Sequence, residues 1–282
     1  LLLPLLKKGQ SIYSILQSHK EIKLSEKTIY NYIENGVFQD VGVSISTIDL
    51  KRVVRRKMSK QKRNTYKPRK DNRYLIGRKY SDFLIYMEKN SDAKVVEMDT
   101  VYNDISNGPF LQTFKFREYD LLICIYQTVK DSLHMLDGIL LLEKILGKEM
   151  FEKEVEVILT DRGSEFILAE EAEIREDGMR RTRMFYCDSM ASWQKGSLEN
   201  VHLLVREICP KGCDLYVLGL TSQEKANLIS IHINSYPKEK LHGKSSIQLL
   251  HFYNEEMAKR LHDFGITETP PDEVILKPYL LK

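Results

Sequence analysis

The beginning of the chain carries apolar residues at helical spacing. Residues 10–19 place their apolar positions on one helical face, and residues 25–35 do the same. Ser25 is suited to cap the start of the second helix, and Gly36 is suited to end it. Two short helices with a tight joint predict a helix-turn-helix, although any helical hairpin would show the same pattern.

From about residue 92 the pattern changes to short apolar runs separated by turn residues. Three consecutive strands are predicted, over residues 93–101, 110–117 and 119–129. A helix over 132–153, strands over 155–159 and 183–186, and a helix over 196–208 are predicted to follow. This order predicts an α/β fold with a mixed sheet and flanking helices, preceded by a small all-α segment.

A strongly basic stretch joins the two regions. Eleven of the twenty residues over 51–70 are Lys or Arg, and none is acidic. Because apolar periodicity is absent there, we predict an extended arm or linker. Its position after a possible DNA-reading helix favours contacts with phosphates, the alternative being a solvated linker. The residues expected to make these contacts are Arg52, Arg55, Arg56 and Lys57.

Composition and termini narrow the class of protein. The net charge of +3 is small, and four cysteines in 282 residues are too few for a disulfide scaffold, so a reducing compartment is expected. The apolar run over residues 1–6 is too short to cross a membrane, and its lysines follow rather than precede it, unlike a secretory signal. Because the sequence does not begin with Met, we expect it to continue upstream.

Three acidic residues occupy positions suited to chemistry. Asp99 lies within the first predicted strand, Asp161 directly follows the fourth, and Glu199 lies near the start of the last predicted helix. An Asp in an apolar strand costs free energy unless it is paired or binds a metal. The carboxyl ends of strands are where α/β sheets place their sites. Each acid alone has another explanation, such as capping a turn, so the hypothesis depends on the ordered set.

Carboxylates suit hard cations such as Mg²⁺. Two such ions can assist an in-line phosphoryl displacement by activating the attacking oxygen and stabilising the leaving one. Glu97 shares the strand face of Asp99, and Glu165 lies close to Asp161 in sequence, so these two acids are alternatives to members of the set.

Other residues of interest give weaker indications. Cys209 and Cys213, with His202 nearby, have poor spacing for a zinc site. Trp193 is suited either to stacking on a DNA base or to packing. The sequence leaves that choice open.

At the acidic residues the chain resembles insertion-sequence transposases of the IS-thirty family, within the DDE superfamily. The matching stretches are EMDTV at 97–101, LTDRGSEF at 159–166, SWQKGSLENVHLLVREICPKG at 192–212 and INSYPKEKLHGKSSIQLL at 233–250. The segment SEKTIYNYI at 25–33 also fits the family's order. Two departures are present: Arg162 stands where an Asn is common, and the 38-position step from Asp161 to Glu199 is a few residues longer than usual. The extra length is expected over residues 170–183, as a surface insertion.

The resemblance implies an RNase H-like fold and a division of the chain. The expected parts are a helix-turn-helix segment over 1–40, a basic linker over 41–90, a catalytic domain over 91–240 and a helical tail over 241–282. Asp99, Asp161 and Glu199 would bind two Mg²⁺ or Mn²⁺ ions. The implied activity is cleavage of DNA at element ends and joining of the 3′ hydroxyl to target DNA. Alternatives are a catalytically inactive DNA-binding protein and a nuclease of the same fold without strand transfer.

Besides the basic arm, contacts with DNA are expected in the second helix and near Glu199. In the second helix, Lys27, Thr28 and Asn31 are polar residues on the side opposite the apolar face, and they are expected to reach base edges in the major groove. Lys195 and Arg206 are expected near the reacting phosphate. We also expect homo-oligomers on DNA, a bacterial cytoplasmic location near the nucleoid, and no association with membranes.

Overall fold

The computed structural model describes residues 1–50, 73–103 and 108–282. The predicted arm over 51–70, with Arg52, Arg55, Arg56 and Lys57, lies outside the described residues. Its contacts with phosphates, and the division of the chain into four parts, stay predictions.

A five-stranded sheet forms the centre of the part of the chain that the structure describes. Its strands are β1 (Val95–Val101), β2 (Phe110–Phe116), β3 (Leu121–Gln127), β4 (Val157–Thr160) and β5 (Arg183–Tyr186). The order across the sheet is β3-β2-β1-β4-β5. β1, β2 and β3 pair antiparallel, whereas β4 pairs parallel with both β1 and β5. This mixed sheet is confirmed as predicted, and its order is that of the RNase H-like fold.

Helices cover both faces of the sheet. They are α5 (Tyr80–Lys89), α6 (Ser132–Leu146), α7 (Lys148–Glu154), α8 (Ala169–Glu173), α9 (Gly196–Ile208), α10 (Gln223–Ser235), α11 (Ser246–Tyr253) and α12 (Glu255–Asp263), after α1–α4 of the first fifty residues. One face packs Met98 and Phe114 against α6, and the other packs Leu111 and Leu122 against α9 and α10. Because both faces are covered, the strands are apolar on both sides. Throughout the described ranges, the helices are too short or too polar to cross a bilayer.

One local feature differs from the sequence-based expectation. The helix predicted over 132–153 breaks at Gly147, which has a φ of 75° and joins α6 to α7. The stretch over 170–183 includes most of α8 and is tied to the fold by Arg175 and Arg181, both of which bind Glu143 at 2.6 Å. Its residues 176–180 are exposed, and the surface insertion stays a prediction.

The first fifty residues form a small helical unit with its own core. Its helices are α1 (Leu2–Lys7), α2 (Ile12–Ser18), α3 (Glu26–Glu34) and the short α4 (Val37–Asp40). The Ser25 side chain accepts a hydrogen bond from the Thr28 backbone at 3.1 Å, as predicted for the cap of α3. Ile15 and Ile29 are fully buried between the helices. The opening apolar run, which has no predicted role, forms α1 and packs into this core.

The helical unit contacts the body of the protein through a seam of specific hydrogen bonds. We define the seam as the contacts of residues 8–19 with residues 236–237 and 271–276. Leu276 donates its backbone N–H to the Lys8 carbonyl at 2.8 Å, and the Ser14 hydroxyl donates to the Pro237 carbonyl at 2.9 Å. The side chain of Gln10 is buried and donates to the Val274 carbonyl at 3.0 Å. The seam therefore sets the position of α3 relative to the sheet.

His232 on α10 supports the body side of the seam and makes the fold sensitive to acid. Its Nδ1 accepts a hydrogen bond from the Ile275 backbone at 3.0 Å, and burial lowers the pKa of His232 to about 4. A histidine with a depressed pKa stabilises the fold fully above its unfolded pKa of 6.5, and this stability is lost as the pH falls toward 4. The full loss is on the order of 3 kcal/mol, at about 1.4 kcal/mol per unit.

We predict that His232→Gln flattens the decline in unfolding free energy between pH 7 and pH 5. Urea denaturation at both pH values measures this slope. His251→Gln serves as the control, because His251 is exposed and pairs with the exposed Glu255. Equal slopes in the wild-type protein and His232→Gln would show that His232 does not carry the effect.

Candidate active site

Asp99 and Asp161 lie on neighbouring elements of the sheet. Asp99 is within β1, and Asp161 directly follows β4, which runs parallel to β1 in the same layer. The parallel pairing brings both carboxylates to one edge of the sheet. Two acids that lie 62 positions apart in the sequence are thus brought close together.

A single ammonium group contacts both acids. Lys195 Nζ lies 2.9 Å from Asp99 Oδ2 and 3.7 Å from Asp161 Oδ2. The Lys195 side chain is buried, and its Nζ also lies 3.4 Å from the Met98 carbonyl. The positive charge therefore stands between the two carboxylates.

The two acids differ in electrostatic state although they share this lysine. Burial alone would raise the pKa of Asp99, but the Lys195 ammonium more than offsets it, and the pKa of Asp99 lies below its ordinary value. The pKa of Asp161 is raised, because burial and the charge of Asp99 outweigh its longer contact with Lys195. The neutral form of Asp161 is therefore favoured relative to an exposed aspartate.

Backbone groups hold one oxygen of each acid. Asp99 Oδ1 accepts from the Thr100 N–H at 2.7 Å, and Asp161 Oδ1 accepts from the Gly163 N–H at 2.7 Å. A Cβ added at Gly163 would lie 2.9 Å from Asp161 Oδ1 and 2.6 Å from Glu165 Oε2. A side chain at position 163 would therefore have to shift the carboxylate of Asp161 or of Glu165.

Glu199 is placed differently from the two aspartates. It lies in the first turn of α9 and is exposed. Within the described residues, no group of three or more His, Cys, Asp or Glu side chains could hold a metal ion. The structure brings Asp99 and Asp161 together and does not bring Glu199 into a cluster with them.

The face of α9 that carries Glu199 is nevertheless turned toward β1 one helical turn later. His202 Nε2 lies 2.9 Å from the hydroxyl of Thr113, which is the cross-strand partner of Asp99. Residues three apart share a helix face, so Glu199 and His202 are neighbours on α9. Burial lowers the pKa of His202 to about 4, so its imidazole is neutral at pH 7.

The aspartate pair has the chemistry of a site for a hard cation. In each carboxylate, a backbone N–H holds one oxygen, and the other oxygen is directed at the Lys195 ammonium. The positive charge of this ammonium occupies the place that a metal ion would take. Oxygen donors of this kind suit Mg²⁺ or Mn²⁺. Asp99 and Asp161 therefore fit such an ion. Glu199, the third predicted ligand, does not join them in this structure.

Glu97 and Glu165, the two alternative acids, have other partners. Glu97 is buried, receives the Arg117 guanidinium at 2.7 Å and accepts the Leu198 N–H of α9 at 2.6 Å. Glu165 is buried and pairs with Lys130. Glu97 therefore anchors the start of the helix that carries Glu199. Sequence reasoning missed this role, because no local pattern connects Glu97 to residue 198.

The predicted DNA-contacting residues are distributed between the helical unit and α9. Lys27 and Asn31 are exposed on α3, whereas Thr28 is half-buried and its hydroxyl lies 2.7 Å from that of Ser25. Arg206 donates to Asn103 Oδ1 at 2.6 Å and to the Tyr102 carbonyl at 3.0 Å. Arg206 therefore holds the segment that follows β1.

Two further sequence hypotheses meet the structure at the end of α9 and before its start. Cys209 is buried and Cys213 is half-buried, and burial raises the pKa of Cys209 to about 12, which disfavours the thiolate that zinc requires. Trp193 is 74% exposed, and the centroid of its ring lies 6.1 Å from that of the Tyr80 ring, with the two rings at 76°. Most of its surface is therefore accessible to solvent.

Comparison with known proteins places this geometry in context. No protein-family model matches the chain. A transposase for insertion sequence element IS1086 from Cupriavidus metallidurans is 38% identical over 68 residues, which is 24% of this chain and 19% of that protein. A probable transposase for insertion-like sequence element IS1161 from Streptococcus salivarius is 25% identical over 236 residues, which is 83% of this chain. The chain is similar to insertion-sequence transposases.

These matches cover only part of each transposase. The matched region is 60% of the IS1161 protein, so the chain spans less than two thirds of the curated relatives it matches. Among solved structures, the chain is similar to the catalytic core of BIV integrase, with a TM-score of 0.40, 15% identity and coverage of 59% of this chain and 97% of that one. The HTLV-2 integrase core in complex with magnesium has a TM-score of 0.36, 15% identity and coverage of 55% and 94%. At these TM-scores the structural similarities carry no argument about function.

Proposed function

We propose that the protein is a DDE-type DNA transposase, which cuts DNA at element ends and joins the freed 3′ hydroxyl to target DNA. The observation that carries this proposal is the pair of carboxylates, Asp99 and Asp161, at one edge of an RNase H-like sheet, both contacting a single positive charge. The similarity to insertion-sequence transposases supports the same class. Membership of the IS-thirty family remains part of the proposal.

In this proposal Asp99 and Asp161 hold divalent cations, Mg²⁺ or Mn²⁺, with Glu199 as the third acid. When bound, two such ions would activate the attacking oxygen and stabilise the leaving one. The backbone donors Thr100 and Gly163 fix one oxygen of each aspartate, which leaves the second oxygen directed into the site. Glu97 fixes the start of α9 and thereby the position of Glu199.

The proposed reaction has two phosphoryl transfers. In the first, water attacks a phosphodiester at the element end, and the bond to the departing 3′ oxygen breaks. In the second, that 3′ hydroxyl attacks a target phosphodiester and displaces another 3′ oxygen. The protein supplies no covalent nucleophile, so its contribution is positioning and charge stabilisation.

The proposal is tested by incubating the purified protein with labelled element-end DNA and Mg²⁺. Nicks at the ends together with joined products are expected. Binding without nicks would support the inactive DNA-binding alternative, and nicks without joined products would support a nuclease of the same fold. Omission of the divalent ion is the matched control.

We further propose that the protein works as a homo-oligomer on DNA in the bacterial cytoplasm. Trp193, exposed two positions before Lys195, suits stacking on a base near the reacting phosphate. Lys195 and Arg206 are proposed to lie near that phosphate as well. Arg206 would act from its present position, where it holds the segment after β1.

Recognition of the element end is proposed for α3. Lys27 and Asn31 are four positions apart, both exposed, and opposite the buried Ile29 and Ile33. A lysine can bind a guanine edge, and an asparagine can pair with an adenine edge. The seam holds α3 through α2 and leaves these two side chains accessible.

We predict that Lys27→Ala with Asn31→Ala weakens binding to the cognate end by roughly 1–3 kcal/mol per lost contact, relative to a scrambled end. Fluorescence anisotropy with both duplexes measures the difference. Lys259→Ala with Asn90→Ala is the control, because these residues are also exposed and lie on α12 and after α5. Equal losses on both duplexes would show that α3 contacts only the DNA backbone.

A further inference from the structure

Among the residues that the structure describes, Lys195 is the one whose ammonium contacts two acids of the proposed metal site. Its ammonium contacts the outward oxygens of Asp99 and Asp161, the oxygens that remain after the backbone donors are counted. A divalent ion held by the same acids would need these oxygens. An ammonium and a metal ion cannot both occupy this position, because they would compete for the same lone pairs and repel each other.

We propose that Lys195 competes with the divalent metal for Asp99 and Asp161, and that a DNA phosphate relieves this competition by taking up the ammonium. Metal and DNA then bind cooperatively. The inference rests on the proposed function, because it requires that the two aspartates hold a metal and that a phosphate approaches them.

Charge balance is the first argument. Asp99 and Asp161 together carry two negative charges when ionised, and the buried ammonium of Lys195 compensates one of them. Replacing Lys195 with a neutral residue would remove this positive charge from the two carboxylates. Their attraction for a divalent ion would then increase. The lysine therefore lowers the metal affinity of the free protein while it stabilises the pair.

The second argument concerns where the ammonium goes. A lysine side chain carries a compact positive charge on a flexible stem of four carbons, and this charge binds phosphate as well as carboxylate. A phosphate positioned for in-line attack lies at the metal-binding oxygens, and therefore within reach of the group that now contacts them. Transfer of Lys195 from carboxylate to phosphate would free the oxygens for the metal without burying an unpaired charge.

Reciprocity follows from linkage. If DNA raises the affinity for metal by some factor, metal raises the affinity for DNA by the same factor. Couplings of this kind are typically 5- to 150-fold. A protein built in this way would load its metal mainly when DNA is in place.

A half-buried lysine elsewhere in the described chain provides the comparison. Lys94 pairs with the buried Glu154 at 2.8 Å, and it precedes β1 at the end of the strand away from Asp161. Lys94→Gln is therefore a matched control that removes a partly buried ion pair without touching Asp99 or Asp161.

The test measures Mn²⁺ affinity by electron paramagnetic resonance, with and without a short end duplex and with a DNA-only titration subtracted. In the free protein, Lys195→Gln is expected to bind Mn²⁺ about tenfold more tightly than wild type, within the typical range of coupling. Adding DNA should raise the affinity of the wild-type protein by about the same factor and that of Lys195→Gln by less than about twofold. Lys94→Gln should behave like wild type in both states.

Several results would overturn the inference. Equal Mn²⁺ affinity in the free wild-type protein and free Lys195→Gln would show that the lysine does not compete. A DNA-induced increase in Mn²⁺ affinity that is as large in Lys195→Gln as in wild type would show the same. Thermal unfolding checks that the variant folds, and Lys195→Met, which keeps an apolar stem, replaces it if it does not. Lys195→Arg retains the charge and should keep the low affinity of wild type.

The same experiment separates this inference from the proposed function. Metal binding is measured without turnover. If the Mn²⁺ affinities follow the expected pattern but the protein neither nicks nor joins DNA, the inference is retained and the transposase is rejected. Nicking and joining by the wild-type protein, together with the same Mn²⁺ affinity in wild type and Lys195→Gln, would retain the transposase and reject the inference.

Discussion

Asp161→Asn is expected to reduce cleavage at element ends by at least about a thousandfold, or ~4 kcal/mol of transition-state stabilisation, while the protein becomes no less stable. The pKa of Asp161 is raised in the folded protein, so its charged form is disfavoured there by burial and by Asp99. An amide keeps the shape and removes that unfavourable charge, but it cannot bind a divalent ion as a carboxylate does.

Asp99→Asn is expected to reduce cleavage equally but to lower the unfolding free energy. The pKa of Asp99 is lowered in the folded protein, because its charge is favoured by Lys195 despite burial. Glu199→Gln should also abolish cleavage, with a change in stability within about 0.5 kcal/mol because the residue is exposed.

Nicking assays and urea denaturation measure the two effects separately, and binding of end DNA, measured without divalent ions, should remain near normal in all three variants. Asp82→Asn, an acid that caps the exposed start of α5, is the control for loss of a carboxylate. A variant that keeps near-normal cleavage would remove its residue from the proposed set of metal ligands.

Glu97→Ala is expected to have the second large effect, on stability as well as on activity. Its carboxylate is buried, pairs with the Arg117 guanidinium and accepts the Leu198 N–H in the first turn of α9. Removing one partner of a buried pair costs about 3–5 kcal/mol, and the exposure of Arg117 places this case at the lower end. Cleavage should fall because Lys195 and Glu199 lose their fixed position.

Glu97→Gln should lose less stability than Glu97→Ala, because an amide oxygen can still accept the Leu198 N–H. Urea denaturation compares both variants with Glu118→Ala, which removes an exposed acid from the turn after β2. Full stability together with complete loss of cleavage in Glu97→Gln would instead make Glu97 a metal ligand.

Much of the fold could be predicted from local pattern. Residues 183–186 form a strand and residues 196–208 form a helix with the predicted bounds, because their apolar spacing and flanking residues act within a few positions. The break at Gly147 was missed because the apolar periodicity of α6 continues into α7. A glycine inside a helical pattern does not by itself reveal that its backbone is left-handed.

The candidate site was predictable only in part, for a physical reason. The sequence placed Asp99 within one predicted strand and Asp161 at the end of another. The structure brings the two together because those strands, β1 and β4, pair in parallel. The contact of Lys195 with both acids, and the use of Glu97 by the Leu198 N–H, connect residues about a hundred positions apart. Such pairings are set by how α9 packs on the sheet, which no local pattern encodes.

The seam has a consequence for how such a protein can change over evolutionary time. If α3 reads DNA while it is held by Gln10 and Ser14 against the body, the interval between the bases it reads and the bond that is cut is set by a packed surface. Substitutions in the seam, which touch neither DNA nor the aspartates, would then shift that interval. Lineages could thereby acquire a new cutting offset while keeping both their recognised bases and their chemistry.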